Sequence, residues 1–261
     1  MGVNKQEAER QRRERIGMKN IMNCGYEAEI VEYSNSRNIK VKFLETGEIV
    51  KTTMTHFRMG KVKSHFHPYL CGVGIVGNEK TRDSNGKSLN SYRCWANMIR
   101  RCYDKKEWNR CPTYKNCEVC EEWHDYSNFK KWYNENFYQI KGQRTELDKD
   151  ILIKGNKIYS PFSCCFVPRE INTLFVKSNS IRGLYPIGVY YNKEINKYIA
   201  QLKDGNNNNI VLGNFNTPEE AFYEYKKAKE RYIKKIADKY KNEIPKKVYD
   251  AMYKYEVEIT D

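Results

Sequence analysis

Apolar and polar residues alternate with a period of two in the first quarter of this chain, and a similar alternation returns twice later. Between residues 23 and 68 the apolar positions form three groups, Ala28 to Val31, Ile39 to Phe43 and Ile49 to Val50. Turn-forming residues separate these groups, at Ser34 to Ser36 and at Thr46-Gly47. The pattern predicts three to five short antiparallel strands.

Strands of this number and length close best as a small barrel, so residues 23–70 are similar to SH3-like or Tudor-like β-barrels. Several basic side chains make one side of this module positive: Lys40, Lys42, Lys51, Arg58, Lys61 and Lys63. The module is interpreted either as an accessory unit that docks DNA or protein, or as a structural cap. The preceding residues 1–22 are rich in basic side chains and are predicted to form a basic tail.

Helical spacing replaces the alternation after a glycine-spaced linker at residues 71–88, which we expect to pack against the next module. One apolar stripe in residues 89–103 is predicted to be buried: Tyr92, Trp95, Met98, Ile99 and Cys102. The arginines off that stripe are candidate DNA contacts: Arg93, Arg100 and Arg101. A second, aromatic-rich helix is predicted between Glu121 and Tyr138.

The stretch from Arg144 to Phe175 predicts a β-hairpin followed by a short helix. Asp148 and Asp150 lie in the first apolar run, a Gly155-Asn156 turn follows, and Cys164 to Val167 form the second run. Pro168 opens a helical pattern in which Asn172 lies off the apolar stripe. A hairpin with a helix across it can hold carboxylate and amide oxygens around a hard cation.

These residues resemble the HNH endonucleases of the phage and homing type, which have a ββα-metal fold. Leu147-Asp148-Lys149 stands where the family has Asp-His, and Tyr159 to Pro168 is similar to its Y-S-P-E-N-C-R-W-V-T. The W-x-x-M-x-x-R-C run that ends at Cys102, and Val119 to Trp123, resemble the segment that precedes this unit. The resemblance covers about residues 90–175 and implies a nuclease module at residues 89–178.

The resemblance further implies that Asp148 and Asn172 bind Mg²⁺ or another divalent ion that assists phosphodiester hydrolysis. Lys149 stands at the position of the general-base His, and Ser163 at that of the central Asn. Three alternatives for the base are left open: Lys149 with a depressed pKa, Asp150, or His124 brought close by the fold. Asp150 could instead be an additional metal ligand. The hairpin lysines Lys154 and Lys157 are further candidate DNA contacts.

The second half of the chain returns to alternation, with strands predicted at Ile187 to Tyr191, Lys197 to Leu202 and Ile210 to Phe215. A capped helix starts at Thr217. Residues 183–240 are similar to the APETALA-type (ethylene-response-factor) DNA-binding domain, whose sheet lies in the major groove. That likeness implies five outward residues that meet DNA: Tyr191, Lys193, Lys197, Gln201 and Lys203.

Residues 241–261 form a C-terminal tail in which Pro245 opens a short helix. Apolar residues at helical spacing predict that this helix packs back on the body of the protein, with Val248 and Met252 facing inward.

The charge balance indicates the class of partner. The 261 residues carry 47 basic and 33 acidic side chains, a net charge of +14, which attracts polyanions. Double-stranded DNA is therefore the expected partner, and a protein partner and the oligomeric state are left open. No apolar run approaches the ~20 residues that span a bilayer, and the N-terminus has no apolar signal region, so we expect a cytoplasmic protein.

Nine cysteines in such a protein indicate thiols or metal ligands rather than disulfides. Cys111, Cys117 and Cys120 are candidate ligands of a structural Zn²⁺, since Cys117 and Cys120 form one C-x2-C pair. Small buried thiols are the alternative.

The sequence thus predicts an α+β protein with an N-terminal barrel, a central ββα-metal module and a C-terminal three-stranded sheet with a helix. The functional hypothesis is a metal-dependent HNH DNA endonuclease of the phage type. The alternative is a DNA-binding or partner-binding protein that keeps the scaffold but has lost cleavage.

Overall fold

The computed structural model describes residues 5–176, 184–204, 208–259 and 261 of the chain. The fold is α+β, as predicted, and its backbone divides into two compact units. The first contains residues up to Lys115 together with Val119–Lys131, and the second contains Asn116–Glu118 and Trp132–Asp261. This division cuts through the predicted nuclease module, because its helices fall largely in the first unit and its hairpin in the second.

The first unit begins with a helix, a meander of strands and a short helix: α1 (Lys5–Arg15), β1 (Lys19–Ile21), β2 (Glu27–Asn35), β3 (Asn38–Phe43), β4 (Ile49–Thr52) and α2 (Met54–Arg58). The strands form one antiparallel sheet in the order β1-β2-β3-β4. Alternate residues such as Ala28, Ile30 and Val41 are buried, so the period-two pattern is confirmed.

A closed barrel was the wrong prediction for this sheet, because within the described residues β1 and β4 do not pair and the sheet stays open. The outer strands are only three and four residues long, and their Ile21 and Ile49 are exposed. Helix α2 instead adds Met54 and Phe57 to the buried face, which covers the core without closure. Part of the predicted basic tail is also ordered, in α1 and β1.

The rest of the first unit is mainly helical, with α3 (Asn90–Tyr103), α4 (Lys105–Arg110) and 3₁₀ turns at Pro112–Tyr114 and Glu121–His124. The short strand β5 (Glu118–Val119) and helix α5 (Tyr126–Asn136) are each divided between the two units. Trp95, Met98, Ile99 and Cys102 of α3 are buried, which confirms the predicted stripe. Gly74 of the linker packs against Trp95, where an added Cβ would lie 3.1 Å from the indole ring.

The second unit contains two antiparallel sheets and the helices that cover them: β6 (Thr145–Asp148), β7 (Ile158–Tyr159), β8 (Cys165–Pro168), α6 (Arg169–Leu174), β9 (Val189–Asn192), β10 (Lys197–Lys203), β11 (Asn209–Phe215), α7 (Pro218–Lys239) and α8 (Lys246–Tyr253). Strand β6 pairs with β8, and β9 to β11 form a sheet in the order β11-β10-β9. Helix α7 packs on that sheet, as predicted for a three-stranded sheet with a helix.

Helix α7 begins with the predicted cap. The Thr217 side chain accepts a hydrogen bond from the Glu220 N–H, and the Glu220 carboxylate accepts one from the Thr217 N–H, with Pro218 at the first helical position. Val248 and Met252 of α8 are buried in the same core, so the tail does pack back on its unit. In the part of the chain that the structure describes, no helix is long and apolar enough to cross a membrane.

Candidate functional site

Strand β6 places Glu146 and Asp148 on one side of the hairpin. The two residues are two positions apart in a strand, so their side chains point the same way. They lie opposite Val167 and Cys165 of β8, both of which pack in the core around α6. Leu147 occupies the other side of the strand, opposite Phe166. The hairpin therefore presents two carboxylates to the side on which α6 packs.

Helix α6 brings Asn172 to the first of these carboxylates. Ile171 is fully buried and anchors the helix, and the Asn172 Nδ2 donates a hydrogen bond to Glu146 Oε2 at 2.7 Å. This contact uses the amide nitrogen, so the Asn172 Oδ1 is the end of the amide that can bind a ligand. Arg144 Nε lies 3.6 Å from the other oxygen of Glu146.

Asn172 thus contacts a third residue, Glu146, which the sequence prediction did not include. The sequence does contain a signal for Glu146, because a residue two positions before Asp148 in a strand lies on the same side of that strand. Asn172 contacts Glu146 directly, and Asp148 lies one side-chain position further along the same side of β6.

Asp148 turns the chain out of the strand. Its Oδ1 accepts hydrogen bonds from the N–H groups of Asp150 and Ile151, both at 2.7 Å. Burial raises the pKa of the Asp148 carboxyl above its ordinary value, and the two backbone hydrogen bonds offset this only in part. The free energy cost of that buried charge is what a bound cation would relieve.

Lys149 and Asp150 hold the hairpin loop instead of facing the carboxylates. The Lys149 Nζ donates to both oxygens of Asp150 at 2.8 Å and to the Asn156 carbonyl at 2.9 Å. An ammonium group has three donors, so these contacts use all of them. Lys149 is only 6% exposed.

The expectation that Lys149 or Asp150 acts as the general base is therefore not supported by the geometry. Each is the other's ion-pair partner. A base needs a free lone pair directed at the water that it deprotonates. His124, the remaining alternative, belongs to the first unit, where its Nε2 lies 3.2 Å from the Tyr103 hydroxyl.

Asn156 and Ser163 tie the same loop together. The Asn156 Nδ2 donates to the carbonyl oxygens of Lys149 and Ile158, and the Ser163 hydroxyl donates to the Ile158 carbonyl at 2.7 Å. Ser163 thus has a structural role at the position where the resembled family has its central Asn. Asn156, which the sequence analysis named only as a turn residue, adds an amide that bridges the two sides of the loop.

The donor atoms of Glu146, Asp148 and Asn172 fit a hard divalent cation. All three offer oxygen, and Mg²⁺ is commonly held by one or two carboxylates with water and phosphate completing its shell. No group of three or more His, Cys, Asp and Glu side chains that could hold a metal occurs within the described residues. A cation bound here would take carboxylate and amide oxygens rather than a cluster of three acidic side chains.

The cysteines show no comparable convergence. None of the nine forms a disulfide bond, and Cys117 is buried. Burial raises the pKa of Cys117 and of Cys120, which disfavours the thiolate that binds zinc. Cys111 and Cys120 fall in the first unit and Cys117 in the second. In the described parts of the chain, geometry adds nothing to the zinc hypothesis for Cys111, Cys117 and Cys120.

The predicted DNA contacts of the first unit lie on α3. Arg93 is exposed and donates to the Asn90 side chain at 2.6 Å, while Arg100 is half-buried. The Arg101 guanidinium lies 5.4 Å from the centre of the Tyr114 ring. None of the three belongs to the buried stripe of the helix, as the sequence predicts.

The hairpin lysines differ from each other. Lys157 is exposed. Lys154 is held by the C-terminal tail, with its Nζ 2.8 Å from Asp261 Oδ2 and 3.2 Å from Glu258 Oε2, and 4.9 Å from the centre of the Tyr255 ring. A phosphate would have to compete with these carboxylates for Lys154.

The C-terminal sheet requires one correction. Tyr191 was expected to point outward, but it lies directly opposite Tyr198, with ring centres 5.1 Å apart. Tyr198 packs against the core under α7, and directly opposed residues share a side of the sheet. Tyr191 therefore faces the helix side, and its neighbour Tyr190 takes the outward position.

The other residues of this region that were predicted to contact DNA do point away from the core. Lys197, Gln201 and Lys203 alternate with the core residues Tyr198, Ala200 and Leu202, so they point away from α7. Lys193 is exposed in the turn between β9 and β10.

Comparison of this chain with protein-family models, with curated proteins and with solved structures finds no match.

Proposed function

We propose that this protein is a metal-dependent DNA endonuclease of the HNH type, with the C-terminal sheet positioning the DNA. The observation that carries the proposal is the hydrogen bond from Asn172 Nδ2 to Glu146 Oε2 beside Asp148. It directs the Asn172 amide towards strand β6, in which the half-buried carboxylate of Asp148 lies two positions after Glu146. This is the arrangement that the sequence resemblance implies for a ββα-metal site.

In this proposal Asp148 and Asn172 are the ligands, and Glu146 orients Asn172. A hydrogen bond to the non-coordinating end of a ligand fixes its direction and raises its affinity for a metal. Asp148 keeps its Oδ1 in the turn and offers Oδ2 to the cation. When bound, a divalent ion polarises a phosphoryl oxygen and stabilises the leaving oxygen.

Lys149 and Asp150 are assigned to positioning. Their ion pair and the bond to the Asn156 carbonyl hold the loop that follows Asp148, so they fix the direction of its side chain. This assignment replaces their expected roles in proton transfer.

Charge supports DNA as the substrate. The net charge of +14 favours a polyanion, and exposed basic residues lie on α3, on the hairpin and on the C-terminal sheet. Double-stranded DNA is favoured by the likeness of residues 183–240 to the APETALA-type domain, whose three-stranded sheet lies in the major groove.

Plasmid nicking tests the proposal. Supercoiled plasmid is incubated with the full chain and Mg²⁺ or Mn²⁺, and the open-circular product is quantified for wild type, Asp148→Asn and Asn172→Ala. Metal-dependent nicking that both variants lose supports the proposal. Intact plasmid under all conditions, or nicking that survives in both variants, overturns it.

The alternative is a DNA-binding protein that has lost cleavage, or one that acts on a partner protein. One observation favours it: Lys149 stands where the family has its basic His, and all of its donors are used. It predicts a salt-sensitive gel shift with uncut DNA in the same titrations.

A further inference from the structure

The side of the C-terminal sheet that points away from α7 has a composition of its own. Strand register defines this outer face, which consists of Tyr190, Asn192, Lys197, Ile199, Gln201, Lys203, Asn209, Val211 and Asn214. Tyr190, Ile199 and Asn214 form one cross-strand row, and Gln201 and Val211 form the next. The centre of the outer face is therefore apolar or amide, and lysines occur only towards its ends.

Two apolar side chains of the outer face are open to a partner. Val211 is 59% exposed and Tyr190 is 37% exposed, whereas Ile199, in the same row as Tyr190, is buried. The register shift between Ala200 and Gln201 accounts for the position of Val211, because it places Val211 opposite Gln201 on the outward side.

The outer face also lacks the residue that most often reads guanine. No arginine occurs between Val189 and Phe215. Arginine makes the commonest specific contact in the major groove, a bidentate pair with guanine. Glutamine makes the equivalent pair with adenine, and apolar side chains contact the thymine methyl group.

We propose that the outer face reads A·T base pairs, with Tyr190 and Val211 against thymine methyl groups and Gln201 against adenine. This inference rests on the proposed function, since it assumes that the sheet enters the major groove. Lys197 and Lys203 contact phosphates and carry no sequence information.

The dimensions of β10 suit this role. Lys197 and Lys203 are six residues apart, which is roughly 20 Å at ~3.3 Å per residue in a strand. The major groove is ~12 Å wide, so the two lysines reach its opposite walls while the residues between them face the bases. Glu194 and Asp204 are the acidic residues nearest to the ends, and both lie in turns outside the outer face.

The experiment measures how much the thymine methyl group contributes to DNA affinity. Binding of the full chain, in EDTA to prevent cleavage, is measured by fluorescence anisotropy with a 30-base-pair A·T-only duplex and with the same duplex in which uracil replaces every thymine. The uracil duplex keeps the charge and the base pairing and loses only the C5 methyl groups. A G·C duplex with cytosine or with 5-methylcytosine provides the reverse test, in which the methyl group is added.

Three variants assign the effect to residues. Val211→Ala and Tyr190→Ala remove the apolar contacts, and Tyr223→Ala is the control, because Tyr223 is an exposed tyrosine on α7, outside the outer face. Lys203→Ala removes a phosphate contact and tests the part of the affinity that does not depend on sequence. Circular dichroism confirms that each variant is folded.

We expect uracil substitution to weaken binding by about fourfold for each methyl group that the protein covers. Val211→Ala and Tyr190→Ala should reduce that ratio towards one, whereas Tyr223→Ala should keep it. Lys203→Ala should weaken binding to all duplexes equally. Equal affinity of the wild type for the thymine and uracil duplexes overturns the inference and leaves the proposed nuclease intact. Failure to bind any duplex would count against both.

Discussion

The N-terminal sheet (β1 to β4) and the C-terminal sheet (β9 to β11) each bury one face under helical residues and leave the other face accessible, and these accessible faces differ in charge. In the first sheet, Lys40 lies opposite Glu32 and Lys42 opposite Glu29, and Lys40 Nζ is 2.7 Å from Glu32 Oε2. In the C-terminal sheet, Lys197 and Lys203 form no ion pair with any described carboxylate.

The lysines of the two sheets therefore differ in whether a carboxylate neutralises their charge. A cross-strand pair of opposite charge stabilises the sheet by a few tenths of a kcal/mol and neutralises its field. A lysine without a carboxylate partner leaves its charge for a ligand. If the protein binds DNA as proposed, this comparison favours the C-terminal sheet over the first sheet as the surface that positions it.

The first prediction concerns the candidate metal site, where we expect a substitution to change activity the most. Asp148→Asn keeps an oxygen for the two backbone hydrogen bonds but removes the negative charge that binds a cation. We expect metal-dependent plasmid nicking to fall about a thousandfold, because a lost metal is worth several kcal/mol of transition-state stabilisation. Glu32→Gln removes one carboxylate from the first sheet and should leave the nicking rate unchanged.

The second prediction compares glycines of the two units. A Cβ at Gly188, which has a φ of +76°, would lie 2.0 Å from the ring of Tyr225. Gly188→Ala should therefore cost about 3 kcal/mol of unfolding free energy. Gly47→Ala in the first sheet has the same kind of φ, +71°, with open space around it, and should cost only about 1 kcal/mol.

Chemical denaturation of the two glycine variants measures both costs. Equal costs would show that the Tyr225 contact is unimportant. We also expect DNA affinity to fall only in Gly188→Ala, because the sheet that it disturbs is the one assigned to DNA.

A third prediction concerns the lysines themselves. The double variant Lys197→Ala/Lys203→Ala should bind DNA about tenfold more weakly at moderate salt, and the slope of log affinity against log salt should fall by about two. The matched variant Lys40→Ala/Lys42→Ala removes the same charge from the first sheet. If the two double variants lose the same affinity, the comparison between the sheets is wrong and charge alone governs binding.

The smallest effect is a dependence of stability on pH. The pKa of Asp148 is raised in the folded state, so its charge destabilises the metal-free fold above that pKa. Asp148→Asn removes this cost, so the metal-free variant should have a slightly higher Tm than wild type at neutral pH. The difference should shrink as the pH falls through the raised pKa and wild-type Asp148 becomes protonated. Thermal melts in EDTA at several pH values measure it, and a constant difference would contradict the prediction.

Local patterns predicted much of the fold. The buried stripe of α3 around Trp95 and Ile99 follows from helical spacing, and the start of α7 follows from the Thr217 to Glu220 cap. Both features depend on residues within a few positions of each other. Neighbours in sequence determine them, and the rest of the chain changes them little.

Features that depend on strand pairing were less predictable. Tyr190 and Tyr191 are adjacent tyrosines, so only the register with β10 decides which of them faces outward. The first sheet stays open because α2 covers its core, and an alternating pattern is the same for an open sheet and a barrel.

The sequence by itself determined the element types, the net charge and the presence of Asp148 and Asn172 in a strand-turn-strand-helix stretch. Only the tertiary structure decided that Asn172 contacts Glu146, that Lys149 pairs with Asp150, and that the outer face has an uncharged centre. The physical reason is that element types follow from local spacing and sterics. Side-chain partners depend on register and helix packing, which bring together residues far apart in the chain.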